Sequence, residues 1–579
     1  MTSNITNEKI RGMFTFVLHS HLPYVIEHGK WPHGMDWLNE AAAETYLPLL
    51  DVFYQLVQEG FTPKVTIGIT PILAEQLSNP LFKEEFKNYL KLKINAGLND
   101  KEQFKKEGKT LLTNQAQNWI DFYTRNLRHF ENKYNEDIIG AFKKLQDNGA
   151  IEIITCAATH GYLPLLGTDN SVKAQIQLGV DTYKKHFDRQ PNGFWLPECA
   201  YRPGYNWKSP IKKYSIPFNR IGIEEFLSDN GIKYFIIDTA MLKGGEPIGV
   251  YIDRFKTLRK MWEQFSTAYK PAKEDITKSP YKIYLVGQNP NKCPVAILTR
   301  DPKTSLQVWS GEHGYPGDGN YLEFHKKHFP GGLRYWKITS SKADLGSKEE
   351  YNIDNVDDRL RENAGHFKQL VKDILSKEQN NDNPFPVLVA PYDTELLGHW
   401  WFEGPRWIYY VLRWMNEDPE MMLATGSEMI DQTLPETIVS IPEGSWGKAG
   451  FHWVWLNEDT KWTWQHIYED EQKFAELIDK YGQNKDATLQ RILKQIAREL
   501  LLEESSDWQF LITTQSARDY AEIRIAEHHD KFKELVNVLD NYISTGSISQ
   551  SEFNLLTDLE QRDAVFDDID TKYWELEQD

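Results

Sequence analysis

Residues 193–205 read GFWLPECAYRPGY. Phe194, Trp195 and Leu196 have the composition of a short buried strand, and Pro197, which cannot donate to a ladder, ends it. The carboxylate of Glu198 follows at once, walled by Trp195, Cys199 and Tyr201. A charge in that setting is costly unless it is paired or put to use, and Arg202 offers the pairing. Residues 387–404, VLVAPYDTELLGHWWFEG, repeat the design. An apolar strand and a proline lead to Asp393 and Glu395, beside His399, Trp400 and Trp401. Two strand-end carboxylates among aromatic rings suit glycosidic-bond chemistry, in which carboxyl groups flank the scissile oxygen. Asp393 is preferred to Glu395 as the partner of Glu198, because it follows its strand directly after the Pro-Tyr lead-in.

Working outward, apolar runs of strand length lie at 13–18, 65–69, 151–158, 194–196, 234–238, 294–298 and 386–390, with helical spacing between them. Seven strands alternating with helices predict a parallel α/β barrel. The barrel is expected over 1–400, with a helical insertion at about 81–148 and a lid-like excursion at about 241–292. A helical C-terminal domain is expected over 401–579, carrying a Trp-rich loop at 444–464. Polar residues gather just after the strands: His19 and His21, Thr70, His160, Glu198, Asp238, Arg300 and Asp301, Asp393 and Glu395. In a parallel barrel those ends share one rim, where such folds place their sites.

Composition narrows the function classes. The 579 residues carry 84 acidic and 66 basic side chains, a net charge of −18, with no Lys/Arg block. That balance argues against a nucleic-acid or anionic-membrane surface. No apolar run has the length of a membrane span, and the leader MTSNITNEKIRG lacks a signal-peptide core. Three cysteines without metal spacing fit a reducing cytoplasm. Among 19 Trp, 28 Tyr and 28 Phe, many stand in Gly/Pro-rich loops, where rings stack on sugars or anchor the loop. No phosphate-cradling Gly loop or nucleophile elbow is present.

Several residues admit two readings. His19 and His21 lie at strand spacing, and with His160 and a carboxylate they suit either a hydrolytic metal or hydrogen bonding to sugar hydroxyls. Arg300 and Asp301 are either an internal ion pair or a brace for the nucleophile or a sugar hydroxyl. Trp309, Trp446 and Trp455 are stacking platforms or buried loop anchors.

The segments HSHLP, THGYLP, WLPECAYRPG, APYDTELLGHWWFEG and ATGSEMI resemble, in order, the marker segments of glycoside hydrolase family 57, most closely its 1,4-α-glucan branching enzymes. The likeness runs through EAAAETYLPLL, RDPKTSLQVWSGEHGYPGD and GSWG…HWVWLN into the helical C-terminal part. It implies a (β/α)7 barrel with a helical insertion and an α-helical C-terminal domain. It implies Glu198 as nucleophile and Asp393 as general acid/base. His19, His21, His160, Trp309, Trp446 and Trp455 would line the subsites; Asp519, in SARDYAE, is a candidate for the same cleft or lies on a solvated helix face, and Arg300 is a substrate-binding candidate on the reading above. No metal or other cofactor is implied. The substrate would be an α-glucan such as amylose or glycogen, handled in the cytoplasm by a monomer or weak homo-oligomer. The 241–292 excursion would be the cover over the cleft. Other readings are a 4-α-glucanotransferase or α-amylase with the same carboxylates, a silent glucan-binding protein, and a metal-dependent deacetylase-like hydrolase.

Overall fold

Seven parallel strands form the wall that carries the site: β1 Met13–Ser20, β2 Val65–Ile69, β3 Ile151–Cys156, β4 Gly193–Trp195, β5 Tyr234–Ile237, β6 Val295–Thr299 and β7 Val387–Asp393. In this computed structural model, residues 10–214, 216–243, 278–287, 289–311, 313–340 and 342–576 are described. Every residue of β1, β2 and β3 is buried, which is why they read as continuous apolar runs rather than alternating ones. The strand order is β7-β1-β2-β3-β4-β5-β6. A parallel bridge between Arg300, just past β6, and Val389 of β7 closes the ring. This is the (β/α)7 barrel expected from the sequence.

Two short strands extend the wall. Tyr284–Val286 runs antiparallel to β6, and Met422–Leu423 runs parallel to β1, so chain beyond residue 400 completes the barrel sheet. Between β2 and β3 lie the helices Pro71–Ser78, Pro80–Lys106, Thr110–Arg128 and Ile138–Asp147. Outside the barrel wall, Phe16 stacks on Phe367 of the Asp357–Glu378 helix at 5.6 Å. Each such fully buried ring contributes roughly 1.5–3 kcal/mol of apolar burial.

The C-terminal part is helical: Lys461–Tyr481, Ala487–Glu503, Asp507–Thr514, Arg518–Thr545 and Gln550–Arg562. Trp464, Trp508 and Ile525 of these helices pack in one apolar cluster with Trp195 and Leu196 of the barrel. Of the excursion expected at about 241–292, residues 244–277 and 288 lie outside the described residues, and with them Tyr251, Phe255, Trp262, Phe265 and Tyr269. No helix among the described residues is long and apolar enough to cross a membrane.

Candidate active site

The rim formed by the strand ends opens into a cleft of about 1760 Å³. Glu198, Asp393, Glu395, His19, His21 and His160 all line it. Their convergence follows from the register: His19 at the end of β1 stands opposite Asp393 at the end of β7.

Glu198 is presented by strained backbone. Pro197–Cys199 forms a single 3₁₀ turn in which Glu198 (φ 60) and Cys199 (φ 48) both lie in the left-handed region. Two consecutive non-glycine residues there cost on the order of 1–3 kcal/mol each, a cost that the surrounding structure offsets. The Trp-rich loop is what holds the turn. Tyr201 and Gly444 exchange backbone hydrogen bonds of 2.9 and 3.0 Å. Trp446 donates its backbone N–H to the Glu198 carbonyl at 3.1 Å and its indole Nε1–H to Glu198 Oε2 at 2.7 Å. Burial pushes the Glu198 carboxyl up to about 8; the Trp446 hydrogen bond opposes this, and the nearby charges of Asp393 and Asp507 add to it.

Glu395 has a different setting. Its Oε1 accepts from the Tyr46 hydroxyl at 2.5 Å and from the His21 backbone N–H at 3.3 Å. Burial, then the charge of Asp393, carries it to about 8. It is tied to the wall.

The three histidines form one stack. His21 lies 4.0 Å from His160, and His19 lies 4.5 Å from the Trp195 ring. His19 Nε2 meets His160 Nε2 at 3.0 Å, and His160 Nδ1 meets Ser506 Oγ at 2.9 Å. His21 uses Nδ1 on Thr70 Oγ1 (3.0 Å) and Nε2 on Asp507 Oδ2 (2.8 Å). Burial, with the neighbouring imidazoles, holds His19 and His160 well below the usual histidine range, so both are neutral. Asp507 is held at about 2: burial would raise it, but the facing His21 and His160 outweigh that. His21, His160 and Asp507 place ligand atoms within 4.8 Å of one another, a spacing that a divalent ion could use. The ring nitrogens of His21 and His160 already have protein partners, so the cluster is complete as a hydrogen-bonded relay.

Other sequence expectations divide. Trp309 and Trp446 line the cleft and meet edge to face at 6.4 Å. Trp455 does not line it: the ring is 1% exposed and stacks on Tyr162 at 4.5 Å, so it anchors the loop rather than forming a platform. Arg300 and Asp301 are not an ion pair with each other. Arg300 pairs with Asp238 at 3.2 Å, bonds Ser305 at 2.7 Å and lies over the Trp446 ring. Asp301 caps the Pro302–Trp309 helix, accepting from the Thr304 N–H at 2.6 Å, and takes the Tyr281 hydroxyl at 2.7 Å. Arg300 therefore braces Trp446, which in turn holds Glu198. Asp519 is exposed on the first turn of its helix and does not line the cleft; a solvated helix face is its place. Arg202 does not pair with Glu198; its guanidinium lies 3.6 Å from Asp169.

Sequence reasoning missed Asp507, Ser506 and Tyr46. Ser506 and Asp507 stand in ESSDW, without strand or loop signature, and only the packing of the C-terminal helices on the barrel brings them to the histidines. Away from the carboxylates and histidines, Trp31 and Phe329 stand exposed on the cleft's flank, at 71% and 65%.

Comparison with known proteins places the whole chain. The Glycosyl hydrolase family 57 model matches residues 15–442, and a model described as 1,4-alpha-glucan branching enzyme, C-terminal, matches 466–574. The chain is similar to a 1,4-alpha-glucan branching enzyme of Thermococcus kodakarensis, 41% identical over 96% of this chain and 78% of that protein. The crystal structure of a family 57 branching enzyme from Pyrococcus horikoshii superposes with a TM-score of 0.87, at 38% identity and covering 98% of each chain. An alpha-amylase, AmyC of Thermotoga maritima, superposes at 0.78 with 30% identity, covering 98% of this chain and all of that one. The chain belongs to glycosyl hydrolase family 57.

Proposed function

We propose that the chain is a 1,4-α-glucan branching enzyme, cleaving an α-1,4 glucan and transferring the cut segment to a 6-hydroxyl by retaining double displacement. The observation that carries the reading is the pair Glu198 and Asp393 in one cleft, with Glu198 held by the Trp446 loop. The C-terminal match at 466–574 and the branching-enzyme relative support it.

In the first half-reaction, Asp393 gives its proton to the α-1,4 oxygen while a Glu198 oxygen attacks the anomeric carbon. The leaving chain departs with a new 4-hydroxyl, and the segment stays as a glycosyl ester on Glu198. In the second, Asp393 takes the proton from an acceptor 6-hydroxyl, whose oxygen displaces Glu198 to form the α-1,6 bond. The charge of Asp393 adds to the rise of the Glu198 carboxyl, so the pair favours sharing one proton. Positive charge developing at the anomeric carbon favours ionised Glu198, and so leaves that proton on Asp393, where protonation of the leaving oxygen needs it. Neutral His19 and His160 and the His21–Asp507 pair suit sugar hydroxyls, and the edges of Trp309 and Trp446 suit an apolar sugar face. We place the work in the cytoplasm, with the protein a monomer or weak homo-oligomer; Cys156 and Cys199 are free and buried, as a reducing compartment allows.

The likeness to the Thermotoga amylase favours a second reading, hydrolysis by the same two carboxylates. Incubation with amylose followed by proton NMR separates them. New α-1,6 anomeric signals without matching reducing ends support branching, and reducing ends alone make the protein an amylase.

A further inference from the structure

A second cluster lies in the helical part, away from the cleft. Asp470 on the Lys461–Tyr481 helix, Glu503 at the end of the Ala487–Glu503 helix and His529 on the Arg518–Thr545 helix turn toward one another, buried to 1%, 0% and 4% exposure. His529 Nδ1 stands 2.7 Å from Asp470 Oδ2 and 3.9 Å from Glu503 Oε1, and the donor atoms all lie within 4.8 Å. No N–H or hydroxyl donor of the described residues reaches either oxygen of Glu503, which faces the Asp470 carboxyl. Glu471 and Glu504, next in chain to Asp470 and Glu503, are buried too and each leaves one oxygen unpartnered. No Lys or Arg of the described residues forms an ion pair with any of these four carboxylates; His529 alone does, with Asp470 and Glu503. Burial pushes all four carboxyls up, so as anions they are strongly unfavourable and they hold either protons or a bound cation.

We propose that Asp470, Glu503 and His529 bind one divalent metal ion of the zinc class, a structural staple joining three helices. One imidazole and two carboxylates suit zinc, and their donor atoms, about 2.0–2.2 Å from the ion, would sit about 3.4 Å apart on a tetrahedron. The observed 2.7 and 3.9 Å bracket that spacing. His466, one helical turn before Asp470, flanks the cluster without joining its donor atoms, and water would fill the fourth position. The His466 Nδ1 is buried and unpartnered among the described residues, and its ring meets His529 edge to face at 3.8 Å. Metal sites in helical bundles are built in this way, from side chains on facing helices. The position gives the ion a purpose, because Glu503 lies three residues before Ser506 and four before Asp507, which hold His160 and His21.

The test uses the full chain. Protein expressed with added ZnCl₂ and desalted is assayed for metal by plasma mass spectrometry, beside Glu503→Gln and His529→Ala. About one zinc per wild-type chain, absent from both variants, is the expected result. Wild type stripped with chelator should regain about 3 °C or more in thermal midpoint on adding ZnCl₂ alone. Wild type that holds no zinc and shows no shift with ZnCl₂ or MnCl₂ would overturn the proposal, leaving a proton shared between Asp470 and Glu503. That result needs no variant to fold, and it leaves the branching assignment untouched.

Discussion

Glu198, the nucleophile of the proposed mechanism, is costly to the fold. It sits on left-handed backbone, is buried, and has its carboxyl raised to about 8 from an ordinary value of 4.5. A raised carboxyl means that the folded state holds a proton the unfolded state has lost. Stability linked to Glu198 is therefore intact below pH 4.5 and falls as pH climbs toward 8. Glu198→Gln removes this cost along with the nucleophile. The variant should lose branching activity, and its thermal midpoint should exceed that of wild type by a few degrees at pH 8 while matching it at pH 5. Melting curves at the two pH values check this; an equal gap at both would mean that burial does not strain the carboxyl.

At the scale of elements, the seven strands were legible because buried parallel strands are apolar along their whole length and end in a proline or a polar residue. Glu198, Asp393 and the three histidines were legible for the same reason, since each stands at or shortly past the C-terminal end of a strand. The tryptophans were not, because loop context does not say whether a ring faces a cleft or a core. Trp446 and Trp455 share one loop, yet one holds Glu198 and the other packs on Tyr162. Trp455→Leu should lower the thermal midpoint clearly, by loss of a buried ring, with KM for amylose within about twofold of wild type. A large KM rise in the folded variant would return Trp455 to the subsites. Asp507 was illegible for another reason: its partner His21 lies 486 residues away in sequence. Asp507→Asn keeps the shape and removes the charge that steadies His21 and His160. A fall in kcat/KM of about 10–100-fold, with little change in melting, is expected from losing a charged hydrogen bond worth about 1.5–3 kcal/mol. An unchanged kcat/KM would make Asp507 a structural cap only.

At the scale of the molecule, barrel and helical part share one apolar cluster, and the site draws on both. Glu198 and Asp393 come from the barrel, while Trp446, Ser506 and Asp507 come from chain beyond it. That division explains why strand-end patterns revealed the carboxylates but not the groups that position them. The cysteines give a global check on packing. Cys156 and Cys199 are buried and Cys293 is exposed, so a thiol reagent should titrate one group per native chain and three after denaturation. Three fast-reacting thiols in the native protein would mean that the barrel opens readily. The proposed reaction depends most on the division of labour between the two carboxylates, and azide rescue tests that division directly. With an activated α-glucosyl donor and azide, Glu198→Ala should yield the β-glycosyl azide, because azide replaces the missing nucleophile in a single inversion. Asp393→Ala should yield the α-glycosyl azide, formed by attack on the intact Glu198 ester. The opposite pairing of variant and anomer, or no rescue of either, would contradict the assignment.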